Sequence, residues 1–218
     1  MTFPIVLFGW IVSLCLHEFS HAAVAYKGGD TSVREKGYLT FNPLKYMHPF
    51  YSLVLPVVFL LAGGLGLPGG AVYINRERLR SRSWDSAVSL AGPASNLLLA
   101  LVLSALLQMN VIAESGAAPG LAFLCLLQIS AILLNLIPIP PLDGYGAIQP
   151  FLKPALQRQL AQISGYSLLI LFVVLWSIPG ASDLFWESVY RMSRAVGLDL
   201  PLAVRGLREF MNFRNSFM

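Results

Sequence analysis

The sequence FPIVLFGWIVSLCLHEFSHAAVAY, residues 3–26, is the clearest structural signal in the chain. Its length and apolar character match the roughly 20 residues that a helix needs to cross the core of a bilayer. Near its end the run contains His17, Glu18 and His21. Ionisable residues at membrane depth cost free energy and mark functional sites. We therefore interpret residues 3–26 as a transmembrane helix that carries a reactive site.

The composition of the whole chain also indicates a membrane protein. Of its 218 residues 56% are hydrophobic and 12% are charged, whereas roughly 25% of the residues of a soluble domain are charged. The net charge of +4 comes from short basic connectors between apolar runs. This distribution is typical of membrane topology and not of a surface that binds nucleic acid. Cys15 and Cys125 are isolated within apolar stretches, so we interpret both as packing residues.

The pattern of apolar runs predicts an all-α polytopic membrane protein. The first run lacks a preceding basic region and a following small-residue cleavage site, so we expect it to be retained. Residues 52–67 are apolar but short, contain Pro56 and end in glycines, and we interpret them as a re-entrant segment. Beyond the first run, full spans are expected at residues 86–111, 121–137 and 167–178.

Three further segments do not follow the pattern of spans. Alternating residues around positions 37–41 predict a short β-hairpin, and residues 71–74 predict a possible strand. In the C-terminal region, residues 181–218, apolar positions recur at helical spacing with arginines between them. This spacing predicts an amphipathic helix that lies at the membrane interface.

The candidate chemistry lies in the segment HEFSH, residues 17–21. Positions i and i+4 share one face of a helix, so the imidazoles of His17 and His21 can reach a single zinc ion. Zinc lowers the pKa of bound water towards neutrality, and Glu18 between the two histidines can then act as general base. The pattern also arises by chance in soluble helices, but its place late in an apolar run favours a metal site over two interfacial histidines.

A catalytic zinc site usually has three protein ligands and one open position. Asp143 is a candidate for the third ligand because it directly follows a long apolar segment, and Gly144 after it permits a sharp turn. His48 is the remaining histidine of the chain. It precedes Pro49 where a polar stretch meets an apolar one, which favours an interfacial residue. We therefore prefer Asp143 and keep His48 as the alternative.

Three segments together resemble the signature of the site-2 protease family of intramembrane zinc metalloproteases. They are HEFSH, GPASN at residues 92–96 and NLIPIPPLDG at residues 135–144, and they occur in the family's order. The resemblance implies that His17, His21 and Asp143 bind one Zn²⁺ per chain and that Glu18 is the catalytic acid and base. It also implies a three-helix catalytic core with the metal within the membrane, towards the cytoplasmic face. We expect a compact member without a PDZ-like or sensor domain.

Two asparagines lie at the ends of their predicted spans that are nearest to the metal. The amides of Asn96 and Asn135 can hydrogen-bond the substrate backbone or the oxyanion that develops during hydrolysis. The alternative is hydrogen bonding between transmembrane helices, which polar side chains often provide. We name both residues as candidates for substrate or oxyanion binding.

The order of the motifs along the chain predicts their sidedness. Spans that run up, down and up place all three motifs at one depth on one side of the membrane. The connectors on that side are basic, whereas residues 108–120 contain no lysine or arginine. We therefore expect the active site and the hairpin to face the cytoplasm, in a bacterial plasma membrane. Five arginines after residue 183 leave the side of the C-terminal region open.

These observations predict an intramembrane metalloprotease domain at residues 1–180 and an interfacial region at residues 181–218. The predicted reaction is zinc-dependent hydrolysis of peptide bonds in or next to transmembrane segments. The predicted partners are a transmembrane substrate, which the edge of the hairpin could bind as an added strand, and the lipid bilayer, with no nucleic acid. The alternatives are an inactive relative that binds membrane segments, or a metal transporter. A di-iron oxygenase would need many more than three histidines.

Overall fold

The computed structural model describes residues 1–40 and 72–215. Within these ranges the chain is helical apart from its connections, and no β-strand is present. The helices are α1 (Thr2–Gly28), α2 (Ser32–Glu35), α3 (Arg82–Leu107), α4 (Asn110–Ala113), α5 (Ala118–Asn135), α6 (Asp143–Ile148), α7 (Pro154–Ser177), α8 (Pro179–Ala195) and α9 (Leu200–Asn215). Short 3₁₀ turns occur at Arg76–Arg78 and Gln149–Phe151.

Four of these helices, α1, α3, α5 and α7, are long and apolar enough to cross a membrane. They differ in how much of their surface the protein itself covers. In α5, 89% of the apolar stretch is buried, whereas in α7 only 11% is buried. The helix α5 is therefore the central element, with α1 and α3 packed against it, and α7 leaves most of its apolar surface outside the protein. The three-helix arrangement of α1, α3 and α5 surrounds the candidate site.

The centre of α5 contains a buried polar contact with α1. The hydroxyl of Ser13 donates to the side-chain carbonyl of Gln128 at 2.5 Å, and Gln128 is completely buried. Around this contact the packing is apolar, with Trp10, Ala100 and Phe123 in one core cluster. The contact therefore joins two spans within an otherwise apolar core.

The predicted hairpin at residues 37–41 is wrong for the residues that the structure describes. After α2 the backbone N–H of Tyr38 donates to the carbonyl of Val33 at 2.9 Å, and the N–H of Gly37 donates to that of Arg34 at 3.0 Å. Gly37 has a φ of 76°, which closes the end of the helix. Because these amides complete the end of α2 and Tyr38 is buried, residues 37–40 do not form a ladder.

Two further expectations concerned a strand at residues 71–74 and a re-entrant segment at residues 52–67. Residues 72–75 follow no regular secondary structure, so the possible strand at 71–74 is absent from its described part. The re-entrant segment expected at residues 52–67 lies outside the described residues, as does His48.

The fourth span begins earlier than its hydropathy indicates. The apolar run predicts a span at residues 167–178, but α7 begins at Pro154. Its first turns contain Gln157, Arg158 and Gln159, which are good helix formers although they are polar. Hydropathy alone therefore detected the apolar half of a longer helix.

The C-terminal helices α8 and α9 pack at the end of the bundle where α1 and α5 begin. The ring of Phe210 in α9 stacks on Phe3 with centroids 5.1 Å apart, and it lies 5.6 Å from the ring of Phe123. At the end of α3 the Ser104 hydroxyl donates to the carbonyl of Val196 at 2.6 Å. These contacts place the C-terminal region at the end opposite the connections that join α1 to α3 and α5 to α7.

Candidate functional site

The two histidines of the HEFSH segment lie on one face of α1, one turn apart. Their rings meet edge to face, with centroids 4.7 Å apart, and the two Nε2 atoms are separated by 3.0 Å. His17 and His21 are both buried within the bundle. The helix is continuous from Thr2 to Gly28, so the spacing of the two residues alone brings these nitrogens together.

The orientation of His21 is fixed from α3. Its Nδ1 atom lies 2.6 Å from the backbone carbonyl oxygen of Val88. A carbonyl only accepts hydrogen bonds, so Nδ1 donates, and in the neutral ring Nε2 keeps its lone pair. Contacts of this kind set the tautomer of a metal-binding histidine and align its ring.

Gly92 provides the space in which the two rings meet. A Cβ atom added at this position would overlap Nε2 of both His17 and His21. Gly92 lies inside α3, where glycine costs about 1 kcal/mol relative to alanine. The close approach of α3 to the imidazoles therefore requires a residue without a side chain.

Asp143 reaches the histidines because the chain turns sharply after α5. It is the first residue of α6. A Cβ atom added to the next residue, Gly144, would overlap the carbonyl of Leu136 at the end of α5. This close packing places Asp143 Oδ2 at 3.2 Å from Nε2 of His17 and Oδ1 at 3.4 Å from Nε2 of His21.

The three side chains fit a metal ion. Their ligand atoms lie within 4.8 Å of one another, and the pairwise separations of 3.0, 3.2 and 3.4 Å match the roughly 3.3 Å between ligands of a tetrahedral zinc ion with bonds of about 2.0–2.1 Å. Asp143 Oδ2 is buried and has no hydrogen-bond donor within the described part of the chain. A cation held between them would satisfy both the lone pairs of the histidines and the charge of the carboxylate.

Glu18 lies beside the group without belonging to it. Its carboxylate is buried in the bundle, and Oε2 accepts a hydrogen bond from the backbone N–H of Val72 at 3.2 Å. Val72 lies 54 residues further along the chain. One carboxylate oxygen of Glu18 is thus held by a neighbouring segment, and the side chain has a fixed orientation.

Asn96 and Asn135 are both buried, but neither contacts His17, His21 or Asp143 through a hydrogen bond in the described part of the chain. Asn96 lies one helical turn beyond Gly92 in α3 and is buried, and its Oδ1 has no hydrogen-bond partner among the described residues. Asn135 is the last residue of α5 and is also buried.

A cavity of about 280 Å³ adjoins the group on the side of α6 and α7. Asp143, Tyr145 and Pro141 line it together with Arg76 and Ser164. This cavity gives small molecules access to Asp143, which is more exposed than the two buried histidines.

Three contributions to the site did not follow from the residues alone. Val88 and Val72 act through their backbone carbonyl and amide, so no pattern of side chains predicts these contacts. Gly92 lies in a segment that the sequence singled out, and an isolated glycine inside a helix indicates a close approach. Its contact with the histidines was therefore detectable in principle.

Comparison with known proteins gives relatives over most of the chain. It is 50% identical over 189 residues to Rip2 of Mycolicibacterium smegmatis, covering 86% of this chain and 72% of the relative. It is 45% identical over 207 residues to Rip2 of Mycobacterium tuberculosis H37Rv, covering 94% and 78%.

A more distant relative is YwhC of Bacillus subtilis, which is 33% identical over 195 residues and 84% of each chain. All three proteins are named as zinc metalloproteases. No family model and no solved structure matches the chain. The identities and coverage confirm the resemblance seen in the motifs, and the chain belongs to the site-2 protease-like family of zinc metalloproteases.

Proposed function

We propose that this chain is a zinc-dependent endopeptidase that hydrolyses peptide bonds in or next to the transmembrane segments of membrane proteins. One observation carries the proposal: His17, His21 and Asp143 converge within 4.8 Å beside a buried glutamate. His17 and His21 lie on α1, and Asp143 follows shortly after α5; both helices are long and apolar enough to cross a membrane. Residues with this chemistry inside a transmembrane bundle favour a reaction at membrane depth.

The depth of the group supports a membrane substrate. His21 precedes the end of α1 at Gly28 by seven residues, or about 10 Å along the helix. Gly92 follows the start of α3 at Arg82 by ten residues, or about 15 Å. Both distances support a position of the group within the part of the bundle that would span a bilayer core about 30 Å thick.

In this proposal His17, His21 and Asp143 hold the zinc ion and Glu18 is the general base. A bound zinc ion would supply Lewis acidity, which lowers the pKa of water and polarises a peptide carbonyl. Glu18 takes a proton from the attacking water and passes it to the leaving amine. Its buried position and its bond to Val72 keep the carboxylate oriented for this transfer.

Asn96 and Asn135 complete the proposal as residues that bind the backbone of the substrate. Asn96 Oδ1 has no partner among the described residues, so it can accept a hydrogen bond from a peptide N–H that an unwound substrate exposes. A helical substrate hides these groups in its internal hydrogen bonds, so it has to unwind locally before it is cut. Buried amides at the site offset part of that cost.

We further propose that the site faces the cytoplasm in a bacterial plasma membrane. The loops at the end of the bundle that holds the site carry most of the basic residues, whereas the loop between α3 and α5 has none. This asymmetry is the positive-inside signature. The amphipathic helices α8 and α9 then lie at the outer interface, where their arginines meet lipid headgroups.

The experiment that tests the proposal measures zinc content and peptide cleavage together. The full chain is purified in detergent as wild type, His21→Ala and Asp143→Ala, and metal is measured by mass spectrometry. Cleavage of a model transmembrane peptide is assayed on the same samples. We expect about one zinc per wild-type chain, and loss of both zinc and cleavage in each variant.

Each other result changes the assignment in a defined way. Zinc and cleavage that survive Asp143→Ala would reassign the third ligand, with His48 next to be replaced. Bound zinc without cleavage by the wild type would favour an inactive relative. Metal that crosses the membrane of reconstituted vesicles would favour a transporter.

A further inference from the structure

A buried aspartate outside the metal-binding group follows directly after α1. Asp30 is completely buried. Its Oδ1 accepts hydrogen bonds from the backbone N–H of Ser32 at 3.1 Å and from its hydroxyl at 2.5 Å. Its Oδ2 accepts one from the backbone N–H of Asn75 at 2.7 Å. A buried carboxylate is costly unless it is hydrogen-bonded, so these three bonds define the place of Asp30 in the fold.

The bond to Asn75 joins the end of α1 to a segment far away in sequence. We call residues 72–80 the clasp segment. Its backbone is held at two further points outside the active site: the N–H of Arg80 donates to the carbonyl of Gly28 at 2.9 Å, and Lys36 Nζ donates to the carbonyl of Tyr73 at 2.7 Å. The clasp segment is therefore fastened to the end of α1 mainly by polar contacts with its backbone.

The clasp segment runs back along α1 towards the active site. Arg80 pairs with Gly28 at the end of the helix, whereas Val72 pairs with Glu18. Ten residues of helix separate Glu18 from Gly28, which is about 15 Å. The chain from residue 80 back to residue 72 covers this distance in the opposite direction, with the 3₁₀ turn Arg76–Arg78 shortening it.

Asp30 fixes the position of the end of the clasp segment that lies near Glu18. Only two residues lie between its bond at Asn75 and the bond of Val72, and the three steps span about 10 Å in extended chain. Val72 and Ile74 also pack against the cluster that contains Ala22 and Val88. Apolar contacts of this kind hold a segment without fixing where each N–H points, whereas a hydrogen bond to a buried carboxylate fixes one atom.

We propose that Asp30 is a positioning residue for Glu18: it holds the clasp segment so that the Val72 N–H stays on the Glu18 carboxylate. The inference rests on the proposed function, in which Glu18 transfers the proton. The Val72 bond occupies Oε2 and leaves Oε1 for that transfer. Without this bond the Glu18 side chain would be free to rotate. Proton transfer would then be slower, because it depends on hydrogen-bond geometry.

The first test replaces Asp30 by a residue of nearly the same shape. In Asp30→Asn an amide NH₂ faces one of the N–H donors, so one of the bonds is lost. We expect kcat to fall about 10–100-fold, by analogy with the residues that hydrogen-bond to the ligands of metal sites, with KM and zinc content unchanged. The matched control is Asp199→Asn. The Asp199 carboxylate also accepts a hydrogen bond from a backbone N–H, that of Leu202 at 3.1 Å. It lies at the end of the bundle opposite Asp30.

The second test uses the donor side of the same bond. Asn75→Pro removes the N–H that Asp30 accepts, and the φ of −83° at this position is close to that of proline. Asn75→Ala keeps this N–H and removes only the side chain, which accepts from the N–H of Glu77. We expect the proline variant to lose more kcat than the alanine variant. The double variant Asp30→Asn with Asn75→Pro should be no worse than either single change, because both remove one interaction.

The third test does not depend on catalysis. Amide hydrogen exchange, measured by mass spectrometry on the detergent-purified chain, reports on the peptide that contains residues 72–75. We expect faster exchange there in Asp30→Asn and unchanged exchange in Asp199→Asn.

Two results would overturn the role of Asp30. One is unchanged exchange at residues 72–75 in both Asp30→Asn and Asn75→Pro, because an asparagine side chain at position 30 can still accept from the Asn75 N–H. The other is a variant that exchanges faster there but keeps the kcat of the wild type. If instead the wild type binds no zinc and cuts no peptide, the proposed function fails, and exchange at residues 72–75 still decides whether Asp30 holds the segment.

Discussion

His21 shows how single atoms determine the site. One ring nitrogen is bonded to the carbonyl of Val88 in α3, and the other lies 3.0 Å from His17 and 3.4 Å from Asp143. The side chain is therefore oriented by backbone from a second helix before any metal binds. Such outer contacts contribute about 10–100-fold to metal affinity or activity. The same logic applies to Glu18 and the amide of Val72.

At this scale the position most sensitive to a small change is Gly92. In Gly92→Ala the new Cβ would overlap Nε2 of both histidines, so we expect zinc affinity to fall at least tenfold, as for other residues that orient ligands. The helix itself should not suffer, because alanine favours helix by about 1 kcal/mol over glycine. Zinc retention against a series of chelator concentrations measures the effect.

The matched control is Gly165→Ala in α7, where an added Cβ meets no atom within 4 Å. It should retain zinc as the wild type does. Equal retention in both variants would show that α3 does not confine the histidines in the way described.

Among the elements, α5 and α9 form a pair that determines the shape of the far end of the bundle. Ala203 and Phe210 of α9 are completely buried, and Phe210 contacts aromatic rings of both α1 and α5. The amphipathic pattern of this region predicts a helix with one apolar face. In the structure that face packs against protein, while Arg205 and Arg208 remain outside the core.

Removal of this contact should destabilise the bundle without touching the site. We expect Phe210→Ala to lower the free energy of unfolding by on the order of 3 kcal/mol, the usual cost of truncating a buried phenylalanine. Unfolding by titration with a denaturing detergent measures it. Zinc content should stay unchanged in the folded protein, because α9 lies at the opposite end.

Phe151→Ala is the control for the same truncation on the surface, since Phe151 is 61% exposed. It should cost well under 1 kcal/mol. A similar loss in both variants would argue against the docking of α9 on α5.

The whole molecule has two ends of different character. One end holds His17, His21 and Asp143, the clasp segment and the basic loops, and the other holds the loop between α3 and α5 with α8 and α9. The polarity of α1, α3 and α5 determines this division, because the motifs lie late in α1, early in α3 and after α5. In the proposed topology the first end faces the cytoplasm.

Labelling of single cysteines with a membrane-impermeant maleimide tests this topology. Both native cysteines are buried, so the background should be low. We expect Glu114→Cys to react in intact cells and Arg80→Cys to react only after the membrane is opened. The reverse pattern would place the active site on the outer side.

The sequence by itself determined the membrane class, the four apolar helices and the side chains that converge on the candidate site. These features are local: hydropathy follows from composition along a run, and the i, i+4 spacing in HEFSH follows from the geometry of one helix. Asp143 was also detectable, because an acid that directly follows a long apolar run is rare unless it has a function. The predicted hairpin failed because alternation over five residues does not reveal that the amides of Gly37 and Tyr38 complete α2.

Only the tertiary structure decided which backbone atoms hold these side chains. The carbonyl of Val88, the amide of Val72 and the space at Gly92 act on α1 from other segments, over separations of 54 to 67 residues for the two hydrogen bonds. Every residue has a backbone carbonyl, and every residue except proline has a backbone N–H. No sequence pattern therefore marks the backbone groups that form these contacts. The burial of Asp30 against Asn75 is of the same kind, since contacts between distant segments depend on how the helices pack.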